Sequence, residues 1–265
     1  MPFVRSADAD IAYDVLGSGP AVVLLHPFPA SHALWIPAAE RLISRFTVVL
    51  PDLRGHGESE LGEGPATMQK HASDIARVMD DAGVGRAVMG GISIGGYALF
   101  EFWRQLRARV AALVLLNTKA QADTAEAHAA RLQAANDVLE RGTEPFFQSM
   151  VAKLFGKSTR DARPDLIEGA LRMMRKMTPQ GVAGVQRGMA ERPDSVATLK
   201  TINVPTLIVT GEEDGMTGTA EASLMQQNIS GSQMRVVPRA GHYAAWEQPE
   251  AVGLALRQFL ESLKL

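Results

Sequence analysis

The chain contains no cysteine. Disulfides, thiolate nucleophiles and cysteine-ligated metals are therefore excluded. No apolar run approaches the roughly 18 residues of a membrane span. The N-terminal "MPFVRSADAD" has no basic segment followed by an apolar one, the mark of a secretory leader, so the expectation is a cytoplasmic protein. Excess charge of either sign is also missing: 27 basic residues face 29 acidic ones, for a net −2. Bulk charge thus draws the chain neither to nucleic acid nor to an anionic membrane. Aromatic residues are sparse at 6 %.

What remains is an ordinary globular composition, 46 % hydrophobic and 21 % charged over 265 residues, enough for one large domain with an insert. Short apolar blocks recur at 21–26, 46–52, 86–91, 110–118, 205–214 and 234–238. Each is continuous rather than alternating, the pattern of a strand buried on both faces in a parallel sheet. Helical patterns separate them. Residues 31–44 open on Ser31 as a candidate N-cap, and 67–83 place Met68, Ala72, Ile75 and Met79 on one face. Residues 249–263 start on Pro249, suited to a first turn. This alternation predicts an α/β protein with a doubly wound, mostly parallel sheet. The first 20 residues, with "IAYDVL" and the turn signal "GSGP", predict an antiparallel edge hairpin.

Between 119 and 198 the strand rhythm stops. About four amphipathic helices are expected there, broken near Gly142, Gly156, Pro164 and Pro179. The expected organisation is a core of 1–118 and 199–265 with a helical cap inserted at 119–198.

Residues 88–100, "VMGGISIGGYALF", pack four glycines around Ser93. Gly91-Ile92-Ser93-Ile94-Gly95 fits G-x-S-x-G, which in strand-to-helix context turns a serine hydroxyl out at a sharp elbow. The following helix directs its N-terminal N–H groups toward that serine and favours a developing anion. A structural serine in a glycine-rich turn would share the same composition. A serine nucleophile needs a base, and the base an orienting acid. His242 in "RAGHYAAWEQPE" follows the last apolar block, and "GEEDG" ends the preceding one with Glu212, Glu213 and Asp214. The order Ser93, Asp214, His242 is that of α/β-hydrolases. His71 and His128 lie in helical patterns and read as surface residues, while Asp52 and Arg54 read as a local ion pair.

With these motifs in place, nearly the whole chain resembles the α/β-hydrolase superfamily. "LLHPFPASHALW" is similar to its His-Gly-x-Pro oxyanion loop, "GGISIGGY" to its nucleophile elbow, and "GEEDG" and "GHYAAWEQPE" to its acid and histidine loops. Small esterases, enol-lactonases and cofactor-free perhydrolases are the most similar members. The resemblance implies Ser93 as nucleophile, His242 as general base, Asp214 as orienting acid (Glu213 the weaker fit), and the N–H groups of Phe28 and Ile94 as oxyanion donors. Pro27 departs from the family's usual glycine, but the implied donor is the next residue. Neither metal nor organic cofactor is implied. His26, Trp35, Tyr243 and Trp246 are candidates to line the substrate pocket, with structural roles as the competing reading. The implied function is hydrolysis of a small apolar carboxylic ester or lactone. The alternatives are a C–C bond hydrolase or perhydrolase on the same three residues, or a non-catalytic small-molecule receptor. The insert's charges, 12 basic against 10 acidic, do not by themselves call for an anionic ligand.

Overall fold

A computed structural model describes residues 1–264. Eight strands form one sheet: β1 (Phe3–Ser6), β2 (Ala9–Leu16), β3 (Ala21–Leu25), β4 (Thr47–Pro51), β5 (Ala87–Ile92), β6 (Val110–Leu116), β7 (Thr206–Gly211) and β8 (Gln233–Val237). Their spatial order is β1-β2-β4-β3-β5-β6-β7-β8. β1 and β2 run antiparallel, β2 pairs antiparallel with β4, and the rest are parallel. The N-terminal hairpin thus forms one edge, as expected. Its turn lies at Ala7–Asp8, however, with Ala7 at φ 49°, whereas "GSGP" links β2 to β3.

Burial follows strand position. Every residue of β5 and β7 is buried, because helices cover both faces of the central sheet. β8 departs from the two-face expectation: only Val237 is buried, since the strand forms the other edge. The helix Met68–Asp81 is capped by Thr67, whose hydroxyl accepts from Lys70 N–H, and it buries all four residues of its apolar face. Expected helix 31–44 shrinks to a 3-10 turn at His32–Trp35 and one α turn at Ile36–Ala39. Ser31 makes no side-chain cap there, so nothing ties down the first turn of a longer helix.

The parallel strands carry their chemistry at one end. Segments leaving β3, β5, β6, β7 and β8 bring Phe28, Ser93, Asn117, Asp214 and His242 to the carboxyl edge, where open α/β sheets bind ligands. Between β6 and β7 the chain is helical: Ala125–Arg141, Glu144–Leu154, Lys157–Ala162, Pro164–Met174, Pro179–Ala190 and the short Val196–Leu199. Thr124 and Thr178 cap two of these helices, Gly142 ends the first at φ 78°, and Pro164 and Pro179 occupy first-turn positions that need no N–H.

Candidate active site

Ser93 sits between β5 and the helix Ile94–Leu106 at φ 54°, ψ −115°, outside the ordinary range of a side-chain-bearing residue. Such a conformation costs about 1–3 kcal/mol and persists only when its surroundings hold it. They do so from both sides. Its N–H donates to the carbonyls of Leu116 and Asn117 at 3.2 and 3.0 Å, and its own carbonyl accepts from Thr118 Oγ1 at 2.8 Å. The neighbouring glycines supply space rather than backbone freedom, for the left-handed residue is the serine itself. A Cβ on Gly91 would lie 2.4 Å from the Gly95 carbonyl carbon, and one on Gly95 would lie 2.7 Å from the Leu25 oxygen. Strand and helix therefore touch backbone to backbone.

Asp214 and His242 form a buried pair, with Nδ1 of the imidazole 3.0 Å from Asp214 Oδ2. The carboxylate also accepts from Asn117 Nδ2 at 2.7 Å, Thr217 Oγ1 at 2.9 Å, and the N–H groups of Met216 and Thr217 at 2.8 and 3.1 Å. Burial alone would raise its pKa. The charge of His242 and these donors outweigh burial and hold it well below the ordinary carboxylate range. An ionised Asp214 fixes the imidazole with its proton on Nδ1. Nε2 is then left with a free lone pair, and that atom is buried without a hydrogen-bond partner in the described chain. Glu213, the competing acid, turns away and accepts from Ser158 N–H and Oγ.

Asn117 ties the three loops together. Its carbonyl holds Ser93 N–H, while its side-chain amide donates to Asp214 Oδ2 and to Gly241 C=O, beside His242. Sequence reasoning missed this residue. The available signal was a polar amide ending the apolar "VLLN" at the carboxyl edge. Glu247, also missed, accepts from Gly241 and Gly156 N–H at 2.9 Å each, which pins the histidine loop to the helical segment.

The N–H of Ile94 is at a helix start and has no carbonyl one turn behind it. That of Phe28 makes no hydrogen bond in the described chain. His26 explains its aim. Leu53 N–H donates to His26 Nε2 at 2.9 Å, so the proton rests on Nδ1, which donates to Pro27 C=O at 2.8 Å. Pro27 C=O and Phe28 N–H belong to one trans peptide and point in opposite directions. Holding the oxygen inward turns the N–H outward. Burial pushes the His26 pKa down to about 4, which keeps the ring neutral.

Ser93 lines a cavity of about 180 Å³ together with Phe28, Tyr97, Phe146 and Met216. Four expected lining residues do not reach it. His26 and Trp35 are fully buried, the first spent on the Pro27 carbonyl and the second packed in the core. Tyr243 is also buried, donating its hydroxyl to Pro29 C=O at 3.1 Å, so it braces the Phe28 loop from behind. Trp246 donates to Leu166 C=O and faces a different cavity, lined by Ser158, Arg163 and Arg239. Two further expectations fail. His71 is buried, not on the surface. Arg54 pairs with Asp74 through two 2.7 Å bonds and with Asp8, whereas Asp52 bonds His32 instead.

Comparison with known proteins bears on the family and the fold. The sequence profile of the alpha/beta hydrolase fold matches residues 20–249. The chain belongs to that family. It is 28 % identical over 247 residues to 3-oxoadipate enol-lactonase 1 of Acinetobacter baylyi, covering 93 % of this chain and 91 % of that one. A thermophilic esterase from Thermogutta terrifontis, solved with malate bound, superimposes with a TM-score of 0.95 at 37 % identity over 98 % of both chains. An enol-lactonase from Burkholderia xenovorans shares the fold at a TM-score of 0.92 and 23 % identity, with 98 % and 100 % covered.

Proposed function

We propose that the protein is a serine hydrolase of small carboxylic esters or lactones. The observation that carries this reading is the triple role of Asn117, which brackets a strained serine, a carboxylate and a histidine whose Nε2 is unengaged. Ser93 Oγ attacks the acyl carbon and passes its proton to His242 Nε2. The carbonyl oxygen becomes an oxyanion held by the N–H groups of Phe28 and Ile94. As the tetrahedral species collapses, the ester C–O bond breaks and His242 returns the proton to the leaving oxygen. Water then loses a proton to His242 and adds to the acyl carbon, and Ser93 Oγ leaves reprotonated. With a lactone, the leaving oxygen stays on the acyl chain. Asp214 holds the imidazole and offsets its charge during each transfer.

Residues 119–198 act as a cap. Helices Ala125–Arg141, Glu144–Leu154 and Pro179–Ala190 contribute Ala134, Met150 and Met189 to the same cavity as Ser93, so substrate lies between cap and sheet. The cavity is small beside the ~300–1,000 Å³ of most ligand pockets, which supports a short substrate. A panel of p-nitrophenyl esters of graded acyl length, run on the wild type and Ser93→Ala, tests the reading. Turnover should favour short acyl groups and fall by about three orders of magnitude or more in the variant. Near wild-type turnover by Ser93→Ala overturns the proposal.

A further inference from the structure

The charge lining the cavity beside Ser93 is all of one sign. None of its lining side chains is acidic, and two are cationic: Arg131 and Lys153. Arg131 is fixed in place, with Nε donating to Asp123 Oδ2 at 2.6 Å and Nη1 to Gln186 Oε1 at 3.0 Å. Its Nη2 makes no hydrogen bond in the described chain, and Gln186 keeps its Nε2 as a further donor. The charge of Asp123 is not available to Arg131 alone. The same carboxylate takes Arg192 Nη1 and Nη2 at 2.7 and 2.8 Å, and Lys119 Nζ stands 3.8 Å away. The Arg192 guanidinium also lies 4.4 Å over the ring of Tyr97, another lining residue. Three cations thus share one buried acid beside a cavity that has none of its own; the neighbouring carboxylates are engaged elsewhere, Glu221 acting on Lys119 and Asp194 accepting from the N–H groups of Ala122 and Val196. Uncompensated positive charge in a partly buried site is unfavourable until an anion arrives, and the planar guanidinium matches a carboxylate.

We propose that Arg131, with Gln186 beside it, binds a carboxylate carried by the substrate, so that the site takes short esters or lactones bearing a free acid group. The inference rests on Ser93 being the nucleophile. It departs from the expectation of an apolar substrate: the insert's total charge is mixed, but its acidic residues lie outside this cavity.

Two substrate pairs test it on the unaltered protein. In one, p-nitrophenyl hydrogen glutarate is compared with p-nitrophenyl pentanoate, placing the acid on the acyl half. In the other, 4-acetoxybenzoate is compared with phenyl acetate, placing it on the alcohol half. The expected result is a kcat/KM about tenfold or more higher for the charged member of one pair, the scale of a charge-assisted hydrogen bond. In Arg131→Gln that ratio should fall by about tenfold, and Arg131→Lys should recover part of it. Succinate should inhibit pentanoate turnover competitively, and more weakly in Arg131→Gln. Preference for the neutral member of both pairs, or a ratio unmoved in Arg131→Gln, overturns the inference. Because the pairs are first read on the wild type, a misfolded variant does not remove the test. Failure of the Ser93 reading would look different: Ser93→Ala would then cleave both members as the wild type does.

Discussion

Asn117 stands in the left-handed region at φ 43°, where asparagine and glycine are at ease. Asn117→Gly therefore keeps the backbone and removes only the amide. Asp214 then loses one of its charge-assisted donors, and kcat is expected to drop by about tenfold, with a smaller effect on KM. His26 acts at one remove, through the peptide it orients. His26→Ala should lower kcat by up to about a hundredfold, the scale of a misplaced oxyanion donor, and leave KM near the wild-type value. Comparable losses in kcat and KM would instead mean damage to the cavity. At this scale the sequence was readable where a motif names the atom. Elbow, acid loop and histidine loop each have a local signature: Ser93 sits at the elbow, and Asp214 and His242 pair across two loops. Asn117, Tyr97 and Arg131 have none, for their roles depend on partners far away in the chain. Trp35, Tyr243 and Trp246 were misplaced for a related reason: an aromatic residue near a strand end packs equally well under a loop or over a pocket.

The elbow joining β5 to its helix is the element on which the site depends. Gly91→Ala would drive a Cβ against the Gly95 backbone, where no side chain can yield. Overpacking of this kind costs about 1–3 kcal/mol, and it should displace Ser93 as well. Thermal unfolding should shift down by several degrees, about 2–4 °C per kcal/mol for a chain of this size, together with a loss of activity. An unchanged melting temperature would show that the elbow relaxes. The central strands and the helix Met68–Asp81 were legible because continuous apolar blocks and a three-four spacing report burial directly. Edge strand β8 and the short turns at 32–39 were not, because the exposure of an edge and the absence of a cap are set by tertiary neighbours.

Across the whole molecule, several buried groups tie stability to pH. Burial pushes the pKa of His26 down to about 4 and that of His71 to about 3, and holds His56 well below the usual histidine value. An unfolded chain binds these protons below about pH 6.5 while the folded one excludes them. Stability should therefore fall as pH drops from about 6.5 toward 4, by about 1.4 kcal/mol per pH unit for each such proton. Asp123 adds a second phase. Burial favours its neutral form, but Arg192 and Arg131 prevail and hold its pKa near 2, so its contribution is lost between about pH 4 and 2. Urea unfolding at several pH values checks this, and His71→Leu should flatten the upper phase by about one proton. The parallel sheet brings five loop ends to one edge, where the chemistry is assigned. The most direct test is the mass of the intact protein after reaction with diethyl p-nitrophenyl phosphate, with the adduct mapped by peptide analysis. One diethylphosphoryl group on Ser93, appearing in step with the loss of ester hydrolysis and absent from Ser93→Ala, is the predicted result. Full hydrolytic activity in protein quantitatively labelled at Ser93, or activity lost through an adduct elsewhere, would contradict the account.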